Sequence, residues 1–374
     1  MFYEIAGLKV EVGGSCLLEK QTVTFVKRNN AFVYTRKENI ALNENTNEVS
    51  SGEKFSPDDA CFSVRDAEYE KEGIEDLTDD EITAVISGSE PCDKQGNSAY
   101  VVRRMAAYAA KNIEGAAPNV FVPDFRIQYK MSAKIERPIG EEIQNVRGFT
   151  VIRGGNGVIS FLRTIKELEE ILVRIDFSAD FTEVNMEVFD VSGLGGINLD
   201  IRLHSYIGEA FAYMALKKGR VVFHSSAIGV LNKGVCFSAP SGTGKSTHTG
   251  LWKTYYGSET EIINDDTPCL YVKDGQTRLC GTPWSGKTEL NINKEIPLCG
   301  LVRLARSKEN YIEKITGLNA LKYFFAEAKI PELPEVFDSG LDTAGKILER
   351  VPMYLLGCNI SKDAVDLVKK TLSL

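Results

Sequence analysis

Histidine and tryptophan are scarce in this 374-residue chain, three and two, and none of its eight cysteines stands in a C-x-x-C pair. Without cysteines or histidines at metal-ligand spacing, a zinc ribbon or finger is excluded. Cys16, Cys61, Cys92, Cys236, Cys269, Cys280, Cys299 and Cys358 are scattered, four of them in apolar or strand-like stretches, and are expected to be free, buried thiols. Positive charge is also in short supply: 44 Lys and Arg face 52 Asp and Glu, a net charge of -8. A nucleic-acid binder needs a basic face to displace counterions, so no nucleic acid is expected as a partner. No apolar run approaches the roughly 18 residues of a membrane helix. The opening MFYEIAGLKVEV has neither the basic start nor the apolar stretch of a signal peptide. The expectation is a cytoplasmic chain with no membrane partner. Internal repeats and low-complexity tracts are absent as well.

What is present is ordinary globular material, 43% hydrophobic and 26% charged, long enough for two domains or three small ones. The front half is rich in hairpins. TVTFVKRNNAFVYTRK alternates around Asn29-Asn30, and FTVIRGGNGVISFLR turns through Gly154 to Gly157. Residues 41 to 81 are polar and acidic, which reads as a solvated loop or short exposed helix, or as a dock for a basic peptide. GNSAYVVRRMAAYAAKNIEG predicts a capped helix ending at Gly115, with Val102, Met105, Ala106, Ala109 and Ile113 inward. The glycine-rich VSGLGGIN at 191 to 198 marks the boundary between an α+β domain over 1–195 and a second domain over 196–374. The second opens with an amphipathic helix, SYIGEAFAYMALKKG, that turns Ile207, Ala210, Phe211 and Met214 inward. Strand material follows in RVVFHSSAIGVL and, after a turn at Asn232 to Gly234, in VCFSAP.

That last strand runs into APSGTGKST. The pattern G-x-x-x-x-G-K-[ST] is met at Gly244, Lys245 and Ser246, with Ala239 where the first glycine is expected, a place alanine tolerates at negative φ. Gly242 and Gly244 let successive backbone N–H groups turn inward, and a helix starting near Lys245 points its positive end at an anion. Ser241, Gly242, Thr243, Gly244, Lys245, Ser246 and Thr247 are therefore the candidate phosphate-binding residues. Lys245 is expected to reach the β and γ phosphates, and the Ser246 hydroxyl to ligate Mg²⁺. Twenty residues on, Asp265 and Asp266 close an apolar strand just before Thr267 and Pro268. Adjacent carboxylates repel one another unless a cation lies between them. A nucleotide-bound Mg²⁺ would relieve that repulsion and leave the other carboxylate to accept a hydroxyl proton. His224, within VVFHSSAIGV, is either a core histidine or a catalytic one; His248 and His204 read as structural. In CGTPWSGKTELNIN, Lys287 could neutralise charge on a transferring phosphoryl group, and Trp284 could cover a base or acceptor; the alternative for both is a packed lid.

In order and spacing, FHSSAIG, SGTGKST and INDD resemble the catalytic domain of the HPr kinase/phosphorylase family, which is related to the phosphoenolpyruvate carboxykinases. The resemblance spans about residues 220 to 305. It implies an α/β fold with a mixed sheet and ATP-dependent phosphorylation of a serine hydroxyl. By position it implies that Gly242 to Thr247 hold the phosphates, Ser246 and Asp265 serve Mg²⁺, Asp266 is the base and His224 lies beside the reacting phosphate. TELNIN stands where the family carries Gly-Leu-Gly-Ile-Ile-Asn, so the reverse, phosphorolytic reaction is not implied. Kinase-like relatives that accompany peptide maturation act on a serine of a small peptide. The expected function is an ATP-dependent serine kinase acting on a protein, peptide or small molecule, with ATP and Mg²⁺ as cofactors and residues 1–195 as a place to bind the acceptor. A nucleotide-gated regulator and a carboxykinase-like small-molecule enzyme are the alternatives. The acceptor, the choice between ATP and GTP, and assembly into a homo-oligomer stay open on sequence.

Overall fold

The computed structural model describes residues 1–15, 23–28, 31–35, 82–84, 98–109, 123–132, 134–146, 148–165, 170–189 and 199–374. Two compact units divide the chain. One joins Met1–Cys16, Glu90–Phe189 and Asp200–Leu374; the other joins Leu17–Ser89 and Asp190–Leu199. The expected division into 1–195 and 196–374 cuts across the first of these. The Asn29-Asn30 turn, the acidic 41–81 segment, the 191–198 boundary, Ile113, Gly115 and three cysteines (16, 61, 92) lie outside the described residues.

The chain opens with β1 (Phe2–Ile5) and β2 (Leu8–Ser15), joined by Ala6 and Gly7, both at positive φ, as a two-residue hairpin turn requires. In the smaller unit β3 (Val23–Arg28) pairs with β4 (Ala31–Thr35) and β5 (Ile82–Ala84), antiparallel on both edges. Helix α1 (Ala99–Met105) follows, its Ser98 cap accepting from Val101 N. Its buried residues are Val101, Met105 and Tyr108, whereas Ala106 and Ala109 are exposed. Met105 is inward as predicted, but Ala106 and Ala109 are not, because the helix tightens after Met105 into a 3₁₀ turn over Ala106–Tyr108.

The larger unit's first sheet has eight strands. To β1 and β2 it adds β6 (Phe125–Ser132), β7 (Glu141–Val146), β8 (Phe149–Arg153), β9 (Ile159–Ile165), β10 (Glu170–Phe177) and β11 (Glu183–Phe189). Their order is β1-β2-β6-β11-β10-β9-β8-β7; β2, β6 and β11 run parallel and the remaining neighbours antiparallel. The predicted β8–β9 hairpin is present, with Gly157 at φ +79° in its turn. Alternation of buried and more exposed residues, clearest in β6, gives the sheet one apolar face and one wet face. Arg126 on the wet face pairs with Glu11 and Glu183 on its two neighbours.

The apolar face packs on α2 (Leu199–Leu216), where Tyr213 meets Phe161 with ring centroids 5.2 Å apart and Tyr206 meets Phe149 at 6.5 Å. The predicted inward residues are buried, but so is most of the circumference. Apolar side chains all round mark a helix enclosed on every side. Gly208 lets the opposite side approach Trp284, since a Cβ there would lie 2.7 Å from the indole.

The second sheet is mixed. It contains β12 (Arg220–Val222), β13 (Ser226–Val230), β14 (Lys233–Ser238), β15 (Thr260–Asn264), β16 (Cys269–Lys273), β17 (Gln276–Cys280), β18 (Glu295–Arg306), β19 (Tyr311–Ile315) and β20 (Met353–Cys358). The main path runs β12-β16-β17-β18-β14-β13-β15, with β20 parallel to β18 and carrying β19. Helix α3 (Lys245–Tyr256) follows β14; α4 (Gly317–Glu327), α5 (Pro334–Leu348) and α6 (Lys362–Leu372) complete the unit. The strand material in RVVFHSSAIGVL forms two strands: it breaks between Val222 and Ser226, which leaves His224 between them. No helix among the described residues is long and apolar enough to cross a membrane.

Candidate functional site

β14 is buried after its first residue and runs parallel to β18, so it delivers the chain to the sheet's edge at Ser238. The chain must then reverse into α3, and it does so with Gly242 at φ +75° and Gly244 at φ +114°, conformations a Cβ opposes. Gly244 occupies the N-cap position of α3 and has no side chain to cap it, so the first-turn N–H groups are left for another acceptor. Ala239 is fully buried and needs no positive φ, which accounts for alanine at that place. Ser241, Gly242, Ser246 and Thr247 are exposed, while Thr243, Gly244 and Lys245 are half-buried. From the end of β18, Arg306 donates to Gly242 O at 2.6 Å and braces the loop.

The break between β12 and β13 is held open by the backbone, His224 N donating to Glu327 O and Ser225 N to Asp266 O, both at 2.9 Å. His224 is thereby aimed at the loop. Its Nε2 lies 2.9 Å from Lys245 Nζ and its Nδ1 3.3 Å from Asp266 Oδ1. An ammonium can only donate, so Nε2 accepts and a neutral ring carries its proton on Nδ1, facing the carboxylate. Lys245 also donates to Ala239 O at 3.1 Å. Three predicted residues, 21 positions apart each time in the sequence, are thus joined in one chain of contacts.

Asp265 points elsewhere. Only 6% exposed, it accepts through Oδ1 from Ser226 Oγ at 2.5 Å. Ser226 spends its single proton there; Thr249 Oγ1 stands 2.8 Å from it and has the backbone oxygen of Ser246 within reach at 3.1 Å. Thr249 stands one turn beyond Lys245 in α3, which ties the carboxylate to the helix that the loop opens. Asn264 fixes the backbone on either side of the Asp266 peptide: its Oδ1 accepts from Asp266 N at 2.9 Å and Thr267 N at 2.7 Å, and its Nδ2 donates to Thr282 O and Trp284 O. Ser226, Thr249, Asn264 and Arg306 were not singled out from the sequence. The hydroxyls of FHSSAIG and the asparagine of INDD stood inside quoted motifs, whereas nothing local marked Arg306.

The 281–291 segment lies against the aspartates. Leu290 O accepts from Asp265 N at 3.0 Å, and a Cβ on Gly286, at φ +65°, would stand 3.2 Å from the Asp266 Cβ. Glu289, a non-glycine residue at φ +55°, pairs with Arg104 of α1. Lys287 is exposed on the same turn. Trp284 is 8% exposed, stacked on Phe211 with its indole N–H on His204 O at 2.8 Å. It therefore serves as a packed anchor, and its edge is not offered to a ligand.

Burial holds the His248 imidazole down at about 4, so the ring is neutral, and its Nε2 accepts the Trp252 indole N–H at 3.3 Å. Of the five described cysteines all are free; Cys236, Cys269 and Cys280 are buried. Burial pushes the Cys236 and Cys269 thiols up to about 12, which leaves them unreactive. Among the described residues no three His, Cys, Asp or Glu side chains converge to hold a metal. A single buried carboxylate, Asp265, and an exposed serine, Ser246, in the first turn of α3 are the kind of donors that suit Mg²⁺, which takes one or two carboxylates and fills its shell with phosphate oxygens and water.

No known family model matches the chain, and no curated protein matches it. Among solved structures it is similar to the HPr(Ser) kinase/phosphatase from Coxiella burnetii, at 11% identity and a TM-score of 0.25, over 40% of this chain and 95% of that one. A likeness at that level carries no argument for activity, and the reading of the site rests on its own geometry.

Proposed function

We propose that the chain is an ATP-dependent phosphotransferase that moves the γ-phosphoryl group to a serine hydroxyl of a protein, peptide or small molecule. The observation that carries this reading is His224 standing between Lys245 Nζ at 2.9 Å and Asp266 Oδ1 at 3.3 Å, at the mouth of a glycine loop that opens a helix. Backbone N–H groups over 241 to 247 take the phosphate oxygens, and Lys245 answers the charge on the β and γ groups. Ser246 and Asp265 are the residues that would hold Mg²⁺, which when bound neutralises phosphate charge. Asp266 accepts the proton of the acceptor hydroxyl as its oxygen bonds to the γ-phosphorus. The bond from that phosphorus to the β–γ bridging oxygen breaks, and ADP leaves with the electron pair. His224 acts as positioner, since it holds the base with one ring nitrogen and the phosphate-binding lysine with the other. Lys287, one residue from the glycine that packs on Asp266, would neutralise charge on the transferring group.

The test is transfer from γ-labelled ATP with Mg²⁺ to free serine, serine peptides or a cell lysate, run beside Asp266→Asn. Transfer by the native chain is expected, with a loss of about 10²-fold or more in the variant while ATP affinity holds. Tight ATP binding without transfer in either protein would replace the kinase with a nucleotide-gated regulator.

A further inference from the structure

The segment beside Asp266 is held from two sides. On one it is zipped to β15, where Asp265 N donates to Leu290 O at 3.0 Å and Ile292 N to Ile263 O at 3.1 Å. On the other it is gripped by α1 and the 3₁₀ turn that follows α1, elements from the front half of the chain. Arg104 pairs with Glu289, Tyr108 OH donates to Asn291 Oδ1 at 3.0 Å, and Asn293 Nδ2 donates to Ala107 O at 3.2 Å. The grip has a fixed base: at the start of α1, Ser98 donates its Oγ proton to Asp200 of α2 at 2.5 Å and its N–H to Tyr129 OH of β6 at 3.0 Å.

Two features of the grip are costly. The Arg104 side chain is only 6% exposed, yet a guanidinium is always charged. Among the described residues its carboxylate partner is Glu289, with Tyr100 OH accepting from Nη1 at 3.3 Å. A buried cation that loses its partner is strongly destabilising, so this pair resists breaking. Glu289 for its part stands at φ +55°, in the left-handed region that a side chain opposes. Glycine would take that conformation freely but would bring no carboxylate. Strained backbone of this kind persists where its surroundings over-determine it, and the ion pair to Arg104 does so here.

We propose that Arg104 is a positioning residue for phosphoryl transfer: through Glu289 it fixes the turn that seats Gly286 against Asp266, so that transfer depends on α1 being docked. Glu289 closes the 3₁₀ turn over Gly286–Thr288, and a Cβ on Gly286 would stand 3.2 Å from the Asp266 Cβ. Movement of the turn is therefore felt at that carboxylate. The glycine loop and Lys245 are held instead by β14 and α3, which the grip does not touch. Its effect falls on the rate and spares nucleotide binding. The inference rests on Asp266 being the base of the proposed transfer, and its test separates the two.

Three quantities are measured on the full chain: transfer from γ-labelled Mg-ATP to serine peptides at saturating ATP, Mg-ATP affinity by calorimetry, and hydrogen exchange at the Asp265 and Ile292 amides. Arg104→Met keeps most of the apolar stem and removes the charge. It is expected to slow transfer about tenfold or more while ATP affinity stays within about twofold. Exchange at the two amides should speed up about tenfold as the segment loosens. Arg104→Lys, which restores the charge, is expected to recover most of the rate. Glu289→Gly guards against misfolding of the buried variant, since it removes the carboxylate and the backbone strain together, and it should slow transfer to a similar degree. A rate unmoved in both Arg104→Met and Glu289→Gly, or ATP affinity falling in step with the rate, would overturn the positioning role and leave the kinase reading intact. If the native chain transfers no phosphoryl group, the kinase reading falls and the positioning role with it.

Discussion

His204 is buried to 5% exposure with its Nε2 unpartnered among the described residues, so it can be charged only at high cost. Burial first, and the Arg104 charge second, hold its imidazole down at about 3, against about 6.5 in an unfolded chain. Between those values the unfolded state binds the more protons, so stability is fully present above about pH 6.5 and falls as pH drops toward 3. His248, held near 4, adds to the same window. Stability, followed as the melting midpoint, is expected to decline below about pH 6.5, by on the order of 1 kcal/mol per pH unit for each such group. His204→Leu should flatten that decline; an unchanged slope would show that the ring is hydrated in solution. At this scale the sequence was legible where a residue's meaning is local. Gly242, Gly244 and Lys245 declare themselves by spacing, because a tight loop opening a helix is built from consecutive backbone. Ser226, Thr249, Asn264 and Arg306 act through partners that only folding supplies, such as Arg306 and Gly242, 64 positions apart.

The order strand, loop, helix at 233–256 and the Gly154 to Gly157 hairpin could be read because each is set by turn residues and short-range periodicity. The break in RVVFHSSAIGVL could not. It depends on Glu327 O and Asp266 O taking the backbone donors of His224 and Ser225, and both acceptors come from other elements. The same holds for the turn over Gly286–Thr288, which has no periodic signature but fixes the distance to Asp266. Gly286→Ala adds a methyl group 3.2 Å from the Asp266 Cβ and 3.3 Å from its Cγ, at a φ of +65° that alanine resists. Gly275→Ala supplies the strain alone, with φ +74° and nothing within 4 Å of its Cβ. Each variant should lose about 1–2 kcal/mol of stability by denaturant melting. Only the Gly286 variant should also lower the transfer rate at saturating ATP, since it alone moves the carboxylate. Equal rates in the two would mean that the loop does not set the position of Asp266.

Over the whole molecule, one large sheet uses residues up to Phe189 and the other starts at Arg220, within one compact unit. The helix between them belongs to both. Tyr206 and Tyr213 of α2 pack on Phe149, Phe161 and Phe177 of the first sheet, while Phe211 stacks on Trp284, which belongs to the loop that leads to Asp266. Cross-links reinforce the arrangement: Ser98 Oγ donates to Asp200 Oδ1 at 2.5 Å, Tyr108 OH to Asn291 Oδ1 at 3.0 Å, and Arg220 Nε to Ala6 O at 2.9 Å. A fragment of residues 196–374 keeps the glycine loop and both aspartates but strips one side of α2. Aromatic side chains bury about 150–250 Å² each, so exposing two tyrosines costs several kcal/mol at about 25 cal/mol per Å². That is comparable to the whole stability of a typical domain, about 5–15 kcal/mol. The fragment is therefore expected to melt without a cooperative transition in calorimetry and to bind Mg-ATP far more weakly than the full chain. A sharp transition with native ATP affinity would mean that α2 can stand uncovered, and that the first sheet is an appendage rather than the wall behind the Trp284 anchor.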